Sequence, residues 1–526
     1  MITARVDAGV DGEAVSQEIV NLIDRDEYGP LSFRGSILVG AKLTKASFHK
    51  AEFVDSHFAQ AILEETLFES CRLENTDFSA AALLGTRFKS GSIADVDFSG
   101  AKLVGAEIRP TEYRHLQFEN AHVSSVVFKN VGAESFTSFP QAFLDCEFVR
   151  PSWAEKSLAG LSLVGSRFRQ GELSNADLSG ANLTDCDFSQ CSLRGARLED
   201  AVLERTMFVE CQLAEAKFLG AKFSANIFQS CVFEAADFAG APLEGASFAG
   251  SRLDGGNFSQ CTLTDAVFSE ASLRVADFSE SQLGGADLTD CDLSGARFVG
   301  AQFDYTELGG ACLDGADFSQ CHFEGTDLGG VDFTSCRLDA NRFHLCNLQQ
   351  ASLAEMDCEG FDFSCCDLQG ANLRGARLDR ADFTQANLTS ADLASSSLGK
   401  ANCAAAEFGE ANLEQATLEG AVAAMANFQG ANLASANLNA ADVTRANFSM
   451  ADCRDASFAE ANAEFALFAH ANCRNSDFTA ANLNQALTHG MQSDNAIWKQ
   501  AKRNNLRETN EHRLAAEKFR PPRKKR

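Results

Sequence analysis

Residues 181–200 read ANLTDCDFSQCSLRGARLED, four five-residue units in a row. Each unit sets a small residue two places before a large apolar one: Ala181 before Leu183, Cys186 before Phe188, Cys191 before Leu193, Ala196 before Leu198. Five is neither the period of a helix nor the alternation of a lone strand. A small and a large inward residue followed by polar positions describe a short extended piece and then a corner. Glycine, frequent at the end of the unit, supplies the left-handed backbone that a tight corner needs. Four such corners close a square coil.

The same register runs outward in both directions. Of the 91 positions taken every fifth residue from Phe33 to Leu483, 77 are Leu or Phe, and they hold 38 of the 43 phenylalanines. Taken every twentieth residue, Phe48, Phe68 and Phe88 lead through Ile108 to an unbroken run from Phe128 to Phe268. The series becomes Leu from Leu288 to Leu388 and returns to Phe from Phe408 to Phe468. Where it turns to Leu, the preceding series turns to Phe (Phe303, Phe323, Phe343, Phe363, Phe383). Where it returns to Phe, that neighbour shrinks to Cys403, Ala423, Val443 and Ala463. Volume compensation of this kind belongs to a close-packed core in which residues twenty apart stack.

This pattern resembles the pentapeptide-repeat family, with its A(D/N)Lxx consensus. The resemblance implies an all-β, right-handed quadrilateral β-helix over residues 31–487. That span predicts roughly 23 coils and, at about 4.8 Å per coil, a length on the order of 110 Å. Residues 1–30 are expected to form an N-terminal helical cap, with Val15, Ile19, Leu22 and Ile23 on one face. Residues 488–526 are expected to hold a C-terminal helical cap and a basic tail. Ser493 or Asp494 would cap a helix carrying Ile497, Trp498 and Ala501, as a lid or a homodimer contact. The register is eroded over 109–160, where Tyr113, Ala133, Ser138 and Trp153 occupy large positions and Pro110, Pro140 and Pro151 cluster. Two readings stand there: degenerate coils, or a projecting loop at 131–141 or 149–157.

Eighteen cysteines first suggest a disulfide scaffold, but twelve fall on the small inward site and four on the large one. Buried free cysteine acts as a small hydrophobe. Only Cys312 and Cys365 are expected to face outward. With no export signal at the N-terminus, the expectation is a reduced, cytoplasmic protein. No stretch is apolar enough to span a membrane. No phosphate loop, zinc spacing or nucleophile elbow is present, so the expectation is no enzyme, no metal, no cofactor and no small-molecule substrate.

The net charge of −28 is unevenly placed. Residues 499–526 hold eleven Lys or Arg against three Asp or Glu, a net of +8, which leaves −36 for residues 1–498. The acidic body disfavours nucleic acid and suits a basic protein partner; the tail RPPRKKR suits nucleic acid or a membrane surface. Partner-binding candidates lie at outward positions of one face, just before each centre except for Val209, which follows Phe208. Met207, Val209, Ile227 and Val267 form an apolar strip where the consensus sets Asp or Asn. Asp287, Glu307, Asp327, Asn347 and Asp367 continue the row as an acidic ladder. The family resemblance implies three settings: a protein-interaction scaffold or adaptor, a bacterial secretion-system accessory protein or effector, and a DNA-mimicking binder of a topoisomerase such as DNA gyrase.

Overall fold

The computed structural model describes residues 31–339 and 341–518. The predicted N-terminal cap and the last eight residues of the tail lie outside the described residues. The chain divides into two compact units, Met1–Thr262 and Leu263–Arg526. Each is a parallel β-solenoid with four faces per coil, and each is described by itself.

In the first unit every strand pairs with the one twenty residues away. Phe128 pairs with Phe148, Phe148 with Phe168, Phe168 with Phe188, Phe188 with Phe208 and Phe208 with Phe228. The faces are numbered here by their order in a coil: face 1 centred on Phe188, face 2 on Leu193, face 3 on Leu198 and face 4 on Leu203. Large and small inward residues are buried, and the remaining three of each five meet solvent. Rings stack along face 1, as in Phe168–Phe188 at 4.6 Å between centroids and 6° between planes.

The corners explain the polar half of the repeat. The amide three residues after a large centre donates to that centre's carbonyl, as Ala196 to Leu193 at 2.9 Å. The residue two after the centre takes positive φ, 55° at Gln190 and 64° at Gly195. That is the backbone of a type II turn, in which glycine is unstrained and other residues carry a modest cost. Asp or Asn just before the centre caps the corner, accepting the amide two residues on, as Asp77 accepts from Ser79 at 2.7 Å. Small polar inward residues satisfy a second carbonyl lone pair: Thr66 donates to the Leu43 carbonyl (2.6 Å) and Cys191 to that of Phe168 (3.3 Å). Ser, Thr and Cys therefore do the same work at this site, which removes the need for a redox role.

Residues 109–160 form coils throughout; neither predicted projecting loop is present. Pairing continues through Ser152 and Ser157 to Glu172 and Asp177. The one departure is a bulge. Leu116 pairs with Phe136 but Gln117 pairs with Ser138, after a 3-10 turn at Ala133–Ser135. The expectation of an unshifted register with Ala133 and Ser138 as centres is corrected here. Those side chains are too small to fill the core, and the shift brings in Phe136 and Phe139 instead. Phe136 packs 5.4 Å from Phe118, and Phe136 and Phe139 meet the fully buried Trp153 at 5.9 and 6.2 Å. One glycine here is obligatory on steric grounds. A Cβ on Gly91 would sit 2.0 Å from the Cys71 carbonyl oxygen.

The second unit repeats the architecture, and face 4 carries Phe303, Phe323, Phe343, Phe363 and Phe383, stacked 4.8–5.4 Å apart. The coil does not stop at 487. Asp477 bridges to Ile497, Asn482 to Lys502 and Leu487 to Arg507, and Trp498 stacks on Phe478 at 4.6 Å. The helix expected over 493–501 is thus another coil. Its apolar residues obey the five-residue register, with Ala496 and Ala501 at small sites and Trp498 at a centre. The helix of this region, α1 (Glu511–Lys518), follows it.

Candidate protein-binding face

Within each unit the candidate binding residues lie on face 1, at the outward position just before the centre except for Val209, which follows the centre Phe208. In the first unit Met207 pairs beside Ile227, which bridges to Ser247. Met207 and Ile227 are 36% and 38% exposed, and Val209 is half-buried, so the apolar strip there is narrow. Unbranched or β-branched apolar residues cannot cap the corner as Asp does, and the chain runs here as three-residue strands, Met207–Val209 and Ile227–Gln229.

In the second unit the row runs through direct bridges from a half-buried Val267 to Asp287, Glu307, Asp327, Asn347 and Asp367, then on to Asn387 and Glu407. At least one oxygen of each Asp is committed to the fold. Asp287 Oδ1 accepts the Thr289 amide (3.0 Å), and Asp327 Oδ1 accepts the Gly329 amide (3.0 Å) and the Asn347 side chain (2.8 Å). Asp367 Oδ1 accepts the Gln369 amide and the Asn387 side chain. Asn347 and Asn387 thus each donate to the carboxylate one coil before them, Gln349 donates to the other oxygen of Asp367 (2.5 Å), and the row keeps net negative charge facing outward. Among the described residues, no Lys, Arg or His forms an ion pair with Asp287, Glu307, Asp327, Asp367 or Glu407.

Face 3 of the same unit gives the contrast, and the reading of single candidate residues missed it. Its outward row alternates: Asp277, Arg297, Asp317, Arg337, Asp357, Arg377. Arg337 lies 3.8 Å from Asp317 and Arg377 lies 3.1 Å from Asp357. Partial burial works against ionisation of Asp317, but the Ser319 hydroxyl and amide, with Arg337 beside it, hold its carboxyl below the usual range. Face 3 neutralises itself, whereas face 1 does not. Reading the outward position every twenty residues would have found both rows.

A second cluster closes the end of this unit. Glu517 of α1 lies 3.1 Å from His470 Nε2 and 3.2 Å from His489 Nε2, while Arg513 holds its other oxygen at 2.8 Å. The residue types suit a metal, but the hydrogen pattern does not. The Asn510 amide donates to His489 Nδ1 (3.2 Å), so in the neutral ring Nε2 carries the hydrogen and donates to Glu517. The cluster is a hydrogen-bonded latch for α1. Gly490 makes room for it, since a Cβ there would lie 2.5 Å from His470 Nδ1.

The thiols follow the sequence expectation except at Cys336, a small inward site that the structure leaves half-buried. Cys312 is exposed, Cys365 and Cys336 are half-buried, and the other fifteen are buried. Burial pushes thiols such as Cys71, Cys291 and Cys358 up to about 12.

Residues 41–118 and 221–298 match the pentapeptide repeat region family. Ten segments between 162–200 and 456–486 match the family of pentapeptide repeats in eight copies. The chain belongs to the pentapeptide-repeat family. No curated protein matches it. Among solved structures, HetL of the cyanobacterium Nostoc sp. strain PCC 7120, a protein involved in heterocyst differentiation regulation, is 23% identical. That alignment covers 48% of this chain and 86% of HetL, with a TM-score of 0.18. QnrB1, a plasmid-mediated fluoroquinolone resistance protein, is 21% identical over 43% of this chain and 90% of its own, with a TM-score of 0.22. These likenesses concern the fold alone. Among the described residues, no helix is long and apolar enough to cross a membrane.

Proposed function

We propose that the chain is a non-catalytic interaction scaffold whose second unit offers face 1 to a basic protein surface. The observation that carries this reading is the difference between two rows on one unit. Face 3 alternates Asp with Arg and cancels its charge; face 1 sets out Asp287, Glu307, Asp327 and Asp367 with no cation among them. A one-signed row on a rigid β lattice steers an oppositely charged partner and fixes its register along the row. Met207 and Ile227 give the first unit a small apolar anchor of its own.

The proposal sets the scaffold in the cytoplasm, as an accessory protein or effector of a bacterial secretion system. A second reading, imitation of a nucleic-acid backbone before a topoisomerase, draws on the same one-signed row; inhibition or relief of a gyrase supercoiling reaction tests it. The primary reading is tested by changing Glu307, Asp327 and Asp367 together to Gln, Asn and Asn and titrating octalysine. Three exposed charge contacts at about 0.2–1 kcal/mol each predict a roughly tenfold loss of affinity. An unchanged affinity rejects the face.

A further inference from the structure

The last coil of the second unit, 491–507, has no coil stacked beyond it among the described residues. In the coil before it, the inward residues Cys473, Ser476, Phe478, Ala481 and Leu483 are fully buried. One coil on, Met491, Ser493, Ala496, Trp498, Ala501 and Leu506 are all only half-buried. The ladder bonds of this coil point backwards. Its Ile497 and Lys502 amides donate to the Ser476 and Ala481 carbonyls at 2.8 Å, and its Ile497 and Lys499 carbonyls accept from Phe478 and Ala480 at 2.8 and 2.7 Å. The forward set has no counterpart. Among the described residues, the amides of Ser493, Asn495, Trp498, Gln500 and Arg503 and the carbonyls of Met491, Ala496 and Ala501 find no backbone partner. Such an open β edge pairs with an extended chain whose side chains suit it.

The side chains along the edge select the partner. Lys499, Lys502, Arg503 and Arg507 are exposed, and none is in an ion pair among the described residues. The one acid of the coil, Asp494, is held by Arg474 at 3.0 Å. Met491, Trp498 and Leu506 line a recess of about 330 Å³ at this end, with Glu508 and Glu511 on the side nearer α1. Trp498 stacks on Phe478 at 4.6 Å, and the Arg503 guanidinium lies 5.4 Å over its ring. A second copy stacked head to tail would bring residues 31–50, with Arg34, Lys42, Lys45 and Lys50 and no acid, against these bases. Two copies joined through this same end would oppose the four bases to themselves, and residues 519–526 hold five bases and no acid. Like charge disfavours all three occupants and favours an acidic one.

We propose that the open edge of the last coil takes an acidic, extended peptide segment of a partner protein as one further turn of the ladder. Along faces 3 and 4 the register sets a small residue over Ala496, a large apolar one on Trp498 and carboxylates beside Lys499 and Lys502. Backbone pairing supplies affinity, and the bases and Trp498 supply selectivity. Salt weakens the contact, because the bases are exposed. This site is separate from face 1 and prefers the opposite charge, so it stands or falls independently of that face.

The full chain carries its own reporter. Of its two tryptophans, Trp153 is fully buried and Trp498 sits at the edge, so a change in fluorescence reads Trp498. The probe is the capped peptide Ala-Asp-Phe-Glu-Glu-Ala-Asp-Phe-Glu-Glu, titrated at low salt. A saturable change is expected, with slowed exchange of the amides in 493–503. Lys499→Gln with Lys502→Gln should weaken binding roughly fivefold, as loss of two exposed charge contacts does. The same peptide methylated at alternate backbone nitrogens keeps its charge, loses its donors and should not bind. Equal binding by the methylated peptide, by a peptide with Lys in place of every acid, or by the double variant overturns the proposal. Acrylamide that leaves Trp498 unquenched in the free chain also overturns it, because the edge is then already covered by a second copy or by residues 519–526.

Discussion

Phe228 is fully buried on face 1 of the first unit, stacked between Phe208 at 5.3 Å and Phe248 at 4.9 Å. Phe223, Phe233 and Phe238 meet it at 6.3, 5.3 and 6.4 Å with their planes steeply inclined. Phe228→Ala removes a whole ring from this contact set. Buried Phe→Ala changes cost about 3–5 kcal/mol, and the two stacked partners, worth roughly 0.5–1.5 kcal/mol each, place this one in the upper half of that range. At about 1.4 kcal/mol per factor of ten, 4 kcal/mol is roughly a thousandfold increase in local opening. Each coil touches only its neighbours, so the loss should stay local. Hydrogen exchange read by mass spectrometry should show faster exchange in peptides spanning 203–253 and native protection in those spanning 33–108. Equal acceleration in both regions refutes neighbour-only coupling; unchanged exchange everywhere refutes the packing assignment of Phe228.

Other outcomes follow from the same contacts. A maleimide reagent on native protein at pH 7 should modify Cys312 and Cys365 first and leave the buried fifteen untouched until denaturant is added, since the core shields them from reagent and burial also disfavours thiolates such as those of Cys71, Cys291 and Cys358. The Glu517 carboxyl is held below its ordinary value chiefly by the Arg513 hydrogen bond, with burial opposing and His489 adding to the effect. Its contribution to docking α1 is therefore complete above the unfolded carboxyl pKa of about 4.3 and fades as pH falls through the lower folded value. Exchange of the 511–518 amides should accelerate only in that acid range, and Glu517→Gln should reproduce the acceleration at pH 7. Asp357→Asn with Arg377→Gln on face 3 should shift stability by less than about 1 kcal/mol in a urea melt, as exposed pairs do.

The coil was legible because its inward residues repeat without ambiguity: twenty-residue stacking of phenylalanines could be read before any coordinate. The bulge at Phe136 was not. A single-residue shift that is recovered by Phe143 leaves the downstream register intact, so only the poor fit of Ala133 and Ser138 hinted at it. The last coil was missed for a related reason. Ile497, Trp498 and Ala501 satisfy a helical face as well as a degenerate five-residue register, and only the stacking of Trp498 on Phe478 decides between them. On the candidate face, the sequence identified the acidic positions but not their pairing. Whether Asp327 meets an Asn or an Arg depends on residues twenty away, and the same rule separates the self-neutralised face 3 from the uncompensated face 1.

The most direct test of the binding face is carboxyl footprinting. Glycine ethyl ester and carbodiimide label exposed carboxylates of the full chain, with and without saturating octalysine, and the sites are read by mass spectrometry. Protection is predicted at Glu307, Asp327, Asp367 and Glu407, with Asp317 and Asp357 on face 3 labelled equally in both samples. Protection spread evenly over both faces would contradict the claim, because net charge alone would then account for binding.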